Sequence, residues 1–147
     1  MTQIDRSALV FHSTKQMFDV VNDVQFYPSF LPWCAASTVI SSTPEQMVAS
    51  LNLSKAGLKY DFTTRNTLIR PSEISFELVE GPFKHLFGTW SFSSLDEGAC
   101  KVNLSINFEI SGKIASFALA KVFTQVANTM VEAFVARADD LYGVKGF

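Results

Sequence analysis

Side chains able to make or break covalent bonds are scarce in this 147-residue chain, and their spacing limits its chemistry. Its two histidines, His12 and His85, have neither the i, i+4 spacing of a zinc-binding helix nor a nearby Cys/Asp cluster. Each is therefore expected to be a surface or hydrogen-bonded structural residue. Cys34 and Cys100 form no paired motif, which gives neither a disulfide framework nor a zinc signature and fits a reducing cytosol. Cys34 follows Trp33 in an apolar stretch with no cationic neighbour, so its thiol is expected to be buried, neutral and inert. None of the seven glycines forms a phosphate-cradling loop. Among the carboxylates, alternation along the strand places Glu77 outward, while the parity of Glu80 points it inward, where it is the one carboxylate placed to act as a general base. Arg65 shares the polar side of its strand with Asp61, and an ion pair across the sheet accounts for both. With no acid/base pair, activated nucleophile or metal set, the sequence points to a protein that is not an enzyme and requires no cofactor.

Charge excludes a second class. Twelve basic against fourteen acidic residues leave a net charge of −2, which is not the electrostatic footprint of a dedicated nucleic-acid binder. Lys55, Lys59, Arg65 and Arg70 read as a solvated strand face rather than a patch. What remains is apolar surface: 48% hydrophobic residues and fourteen phenylalanines, with 18% charged residues, describe a folded globular chain. Most of those rings are expected to fill a close-packed core, and the rest to line a pocket. The length predicts one domain spanning 1–147. Charges near the start stand where a secretory signal needs its apolar stretch, and no segment approaches ~18 uninterrupted apolar residues, so a cytoplasmic protein is expected.

The elements that would position these residues follow from periodicity. Residues 4 to 12 alternate with apolar residues on both sides, Ala8 and Val10 opposite Leu9 and Phe11, as a strand covered on both faces would. Ser13 to Gln16 has the form of a capping box, and Met17, Val20, Val21 and Val24 follow at helical spacing, predicting a helix over 14–24. Pro28 and Pro32 push Tyr27 and Leu31 toward extended geometry, so residues 26–33 read as a bent helical turn or loop. From 35 to 110 the period is two. Inward positions run Met47, Ala49, Leu51, Leu53; Leu58, Tyr60, Phe62; Ile74, Phe76, Leu78; Leu86, Trp90, Phe92; and Val102 through Ile110. Turn signals fall at Thr43-Pro44, Ala56-Gly57, Arg70-Pro71-Ser72, Gly81-Pro82 and Asp96-Glu97-Gly98. The polar partners Asn103, Ser105, Asn107 and Glu109 imply a sheet with one wet face, hence an antiparallel one. Residues 114 to 141 return to a helical period, with Phe123, Ala127, Met130, Phe134, Ala138 and Leu141 in one stripe, widened by Leu119, Val122 and Val126, and with Gly143 placed to end it. The expectation is an α+β fold in two layers, a curved antiparallel sheet gripping a long C-terminal helix, with two short helices after the first strand.

Two segments exceed generic pattern: Tyr27-Pro-Ser-Phe-Leu-Pro-Trp-Cys34, and Glu80-Gly-Pro-Phe-Lys-His-Leu-Phe-Gly-Thr-Trp-Ser-Phe92. With the element order, they resemble the family joining mitochondrial coenzyme Q-binding proteins to the bacterial ribosome-association toxin RatA, within the START-like, polyketide cyclase-related superfamily. The resemblance runs from about residue 4 to 141. It implies the helix-grip fold, with an elongated apolar cavity between sheet and helix. It also implies either binding of ubiquinone or a similar isoprenoid lipid in support of respiration, or contact with the large ribosomal subunit that blocks subunit joining. No mitochondrial targeting segment is read before residue 4, which resembles the bacterial form.

For lipid binding, the expected lining is Tyr60, Phe62, Phe76, Leu78, Trp90 and Phe92 from the sheet, with Val126, Met130 and Phe134 from the helix. Leu31, Trp33 and Phe83 lie in connecting segments expected to form a mouth, where an exposed tryptophan would give transient contact with the inner membrane.

Overall fold

The structure is a computed structural model and describes residues 1–112 and 117–143. The elements follow in the order β1 (Thr2–Val10), α1 (Thr14–Asn22), a 3-10 turn (Val24–Phe26), α2 (Tyr27–Phe30), β2 (Cys34–Ser42), β3 (Gln46–Lys55), β4 (Leu58–Ile69), β5 (Glu73–Glu80), β6 (Phe83–Asp96), β7 (Ala99–Ile110) and α3 (Phe117–Tyr142). The seven strands make one antiparallel sheet in the order β1-β7-β6-β5-β4-β3-β2. Strands β2 to β7 form a meander, and β1 closes its far edge on β7, from Thr2 opposite Phe108 to Val10 opposite Cys100. This is the two-layer α+β arrangement that the periodicity predicts, and the START-like helix-grip fold that the resemblance implies.

Local chemistry explains the elements. The capping box at the start of α1 is complete: Ser13 Oγ accepts from the Gln16 amide at 3.1 Å, and Gln16 Oε1 accepts from the Ser13 amide at 2.9 Å. Met17, Phe18, Val20 and Val21 then face the core. At the β3–β4 turn, Ala56 and Gly57 both take positive φ, 55° and 81°, the backbone that matches the twist of a tight hairpin. In β7, Val102, Leu104, Ile106 and Phe108 are buried while the polar residues between them are half-exposed, the alternation of a sheet with one dry face. Helix α3 lays Val122, Phe123, Val126, Ala127, Phe134 and Ala138 into the same core. Gly143, at φ 84°, ends it with its amide donating to the Asp139 carbonyl at 2.8 Å.

Several expectations are corrected. Strand β1 is covered on one face only: Leu9, and Phe11 just beyond its end, are 72% and 54% exposed, because among the described residues no second layer packs on the convex side. Tyr27 is helical (φ −52°, ψ −42°) rather than extended. Pro28 sits in the first turn of α2, where its missing N–H breaks no helical bond, and the tertiary packing of Tyr27 overrides the pre-proline preference. Leu31 is extended, as Pro32 requires. Leu141 is 49% exposed, in a last turn of α3 whose Asp139 and Tyr142 meet His12. The expected start of that helix, 114–116, lies outside the described residues.

Candidate functional site

Between the concave face of the sheet and α3 lies an interior cavity of about 80 Å³. Its walls come from every layer of the fold. Val21, Asn22, Val24 and Tyr27 enter from the α1–α2 segment, and Trp33 from the turn into β2. The strands supply Ala49, Leu51, Phe62, Thr64, Asn66, Ile74, Phe76, Leu86, Trp90 and Ile106, and α3 supplies Phe123, Val126 and Met130. None of these side chains is charged, and the only polar groups besides the Tyr27 hydroxyl and the Trp indoles are Asn22, Thr64 and Asn66.

The twelve residues expected at the site divide. Trp33, Phe62, Phe76, Trp90, Val126 and Met130 line the cavity, whereas Leu31, Tyr60, Leu78, Phe83, Phe92 and Phe134 do not. Phe134 is wholly buried behind the wall, edge-on to Tyr27 (5.2 Å between centroids), Phe30 (5.5 Å) and Trp90 (5.2 Å). Phe92 stacks parallel to Trp90 and meets Phe18 edge-on. Phe83 packs with Phe62, Phe108 and Phe123 in an aromatic cluster. Tyr60 and Leu78 are half-buried on β4 and β5. The expected mouth is not one: Leu31, Trp33 and Phe83 are all buried. With Trp33 and Trp90 only 5% and 4% exposed, neither tryptophan can reach a membrane in this conformation.

An outer groove of about 440 Å³ instead adjoins the cavity, between the end of α1 with the turn after it and the β2–β3 hairpin. Asp19, Asp23 and Gln25 line one side and Val39, Ser42 and Met47 the other, and Asn22 and Val24 belong to both spaces. Those two residues are thus the partition between cavity and exterior. Burial raises the Asp23 carboxyl above its usual range.

Burial favours the neutral form of the phenol and the two thiols in the core. Tyr27 donates its hydroxyl to the Val21 carbonyl, and burial pushes the phenol far above its ordinary value. Burial likewise pushes the thiols of Cys34 and Cys100 up to about 11, with Cys34 Sγ donating to the Ala36 carbonyl at 3.3 Å. His12 is 1% exposed and lies 2.7 Å from Asp139 through Nε2, a hydrogen-bonded structural residue joining the start of α1 to the last turns of α3. His85 is exposed on β6. Glu80 is exposed, against the parity expectation, because an irregularity in the β4–β5 pairing beyond Thr64 and Leu78 shifts its register. Arg65 pairs across the sheet with Glu77 at 3.4 Å rather than with Asp61, which accepts from Asn52 at 2.7 Å. Arg70 lies over the Phe18 ring at 4.9 Å and 3.9 Å from Asp19, so two of the four cations considered for a patch already face acidic partners. Among the described residues no group of three or more His, Cys, Asp or Glu side chains can hold a metal ion.

Sequence reasoning missed Thr64 and Asn66. They share parity with Phe62 and with buried Leu68 on β4, so the alternation that placed Phe62 inward continues through two polar residues.

A family model described as polyketide cyclase / dehydrase and lipid transport matches residues 10–135. The ribosome association toxin RatA of Vibrio cholerae is 49% identical over 97% of this chain and 99% of its own length. The mitochondrial coenzyme Q-binding protein COQ10 homolog B of Xenopus laevis is 28% identical over 96% of this chain and 59% of its own. The crystal structure of the ZhuI aromatase/cyclase from a Streptomyces species superposes with a TM-score of 0.81 over 94% of this chain and 93% of its own, at 18% identity, a likeness of fold.

Proposed function

The chain belongs to the family that joins the coenzyme Q-binding proteins to the ribosome association toxin RatA, within the START-like, polyketide cyclase-related superfamily. On that premise we propose that it binds ubiquinone or a similar isoprenoid lipid between its sheet and α3, without catalysing a reaction. The observation that carries this reading is the uncharged cavity, walled by aromatic and aliphatic side chains. Removing apolar ligand surface from water supplies about 25 cal/mol per Å², and a few polar groups suffice to orient a headgroup. At about 80 Å³ the cavity is smaller than the ~300 Å³ at which ligand sites begin, so the tail must displace wall side chains. Met130, unbranched and adaptable, is suited to move. The reading takes residues 1–147 as one domain, supported by the continuous core that α1, the sheet and α3 share. A cytoplasmic carrier of such a lipid, with the lipid as cargo rather than cofactor, must meet the inner membrane transiently to load.

The test is mass spectrometry of organic extracts from protein purified gently from a quinone-producing host, beside an unrelated protein of the same size. Near-stoichiometric quinone is expected from the native chain, and a background amount from a folded Met130→Glu variant. An empty extract from the native chain would overturn the proposal.

The 49% identity to a protein named for ribosome association favours a second reading, contact with the large ribosomal subunit. Lys55 and Lys59, both exposed at the β3–β4 turn, are among the cations available for it. Binding through phosphates weakens steeply with salt. Cosedimentation with large subunits that fades between low and moderate salt supports this reading, and no cosedimentation at low salt removes it.

A further inference from the structure

The polar side chains on the cavity wall are few, and two of them form a pair with a direction. On β4, Thr64 Oγ1 donates to Asn66 Oδ1 at 2.9 Å. This bond fixes the Asn66 carboxamide with its acceptor occupied. Its Nδ2 has no protein acceptor among the described residues and is not closed off from a probe the size of water. Both residues line the cavity. In register, Asn66 lies between Met47 of β3 and Phe76 of β5, and Thr64 between Ala49 and Leu78, so apolar neighbours flank the pair within the sheet. An amide donor open to the cavity is a group that a bound acceptor can satisfy in place of water, and a valine or leucine at either position would serve the sheet better. Phe62 and Leu68 on the same face show that the strand accepts apolar residues there.

Resting on the lipid-binding reading, we infer that Thr64 and Asn66 form the headgroup subsite, and that the subsite selects ligands presenting a hydrogen-bond acceptor oxygen, the ring carbonyl or ether of a quinone-type headgroup. Asn66 is the binding residue, donating from Nδ2 to that oxygen. Thr64 is a positioning residue that holds the carboxamide in the donating orientation. The subsite lies toward the outer groove, because Met47, the β3 partner of Asn66, lines that groove. The apolar tail then runs the other way, toward Phe62 and Phe123. A hydrocarbon of equal size fills the same space but leaves the amide unpaired. The site therefore separates oxygenated rings from plain lipids by hydrogen bonding rather than by volume.

The test compares decylubiquinone with decyltoluene, which lacks the ring oxygens, by displacement of a polarity-sensitive dye from the whole chain. The native protein is expected to prefer the quinone by roughly tenfold, about one hydrogen bond. Asn66→Leu is expected to bring that ratio near one with little change in hydrocarbon affinity, and Thr64→Val to reduce it by a smaller factor. Because the readout is a ratio between two ligands on one protein, partial loss of folding does not imitate the result. A native protein that binds both ligands equally, or an Asn66→Leu variant that keeps the preference, overturns this inference and leaves the lipid-binding reading in place. A native protein that binds neither ligand overturns both.

Discussion

Phe134 shows how single side chains hold the site. It is fully buried and touches Tyr27, Phe30 and Trp90 edge-on, so the α1–α2 segment, α3 and the sheet meet on one ring. Phe134→Ala is expected to destabilise the fold by about 3–5 kcal/mol in urea unfolding, the cost of transferred surface plus a cavity, and to detach the α1–α2 wall. The two thiols make a different residue-scale prediction. Cys34 and Cys100 ionise near 9.0 in the unfolded chain and at about 11 when folded. Their folded state is the neutral one, so the stability they contribute is complete below pH 9 and lost as pH rises toward 11. The melting temperature should therefore fall across that window and fall less in a Cys34→Ala, Cys100→Ala double variant. A thiol reagent at pH 8 should label neither residue until the protein unfolds.

The elements are set by close approaches that side-chain pattern alone does not reveal. Gly88 on β6 leaves room for the Phe76 ring from β5 to lie across the strand. A Cβ there would stand 2.5 Å from Phe76 Cζ and 2.3 Å from the Ser105 carbonyl oxygen. Gly88→Ala is expected to cost about 1–3 kcal/mol and, because Phe76 walls the cavity, to weaken lipid binding even where the protein still folds. Chemical denaturation paired with ligand titration separates the two effects. Hairpin positions and the capped first helix were legible because each depends on short-range chemistry: Ser13 and Gln16 close a box three residues wide, and Ala56-Gly57 bends the chain on the spot. The site was half legible. Parity gave Phe62, Phe76 and Trp90, but it could not tell a side chain on the cavity wall from Phe134 or Phe92 one layer behind. That distinction depends on how α3 is rotated over the sheet. Glu80 misled because a pairing irregularity is invisible to a count by twos.

At the scale of the whole molecule, α3 and the sheet close on a cavity too small for the proposed cargo, so binding must trade packing among wall residues for packing against the ligand. A ligand that binds only the folded state raises stability by RT ln(1 + [L]/Kd), about 2.7 kcal/mol at a hundredfold excess over Kd. Decylubiquinone is accordingly expected to raise the melting temperature with concentration. Hydrogen exchange should slow most in α3 and the α1–α2 segment, the parts that must part to admit the ligand. No change in either measurement would show that the wall does not open.

The register of β1 against β7 has a consequence for how the chain comes into being. Thr2 pairs with Phe108, and His12 with Asp139, so β1 has no partner strand until about a hundred further residues have been made. At about 5–20 residues per second, β1 waits several seconds or more as an orphan segment while the β2–β7 meander assembles beside it. The greasy concave face of that meander stays bare longer still, until α3 leaves the exit tunnel. A nascent chain stalled before residue 117 would therefore be a sticky open sheet, a natural client for whatever guards newly made proteins, and release of α3 is the event that covers its concave face.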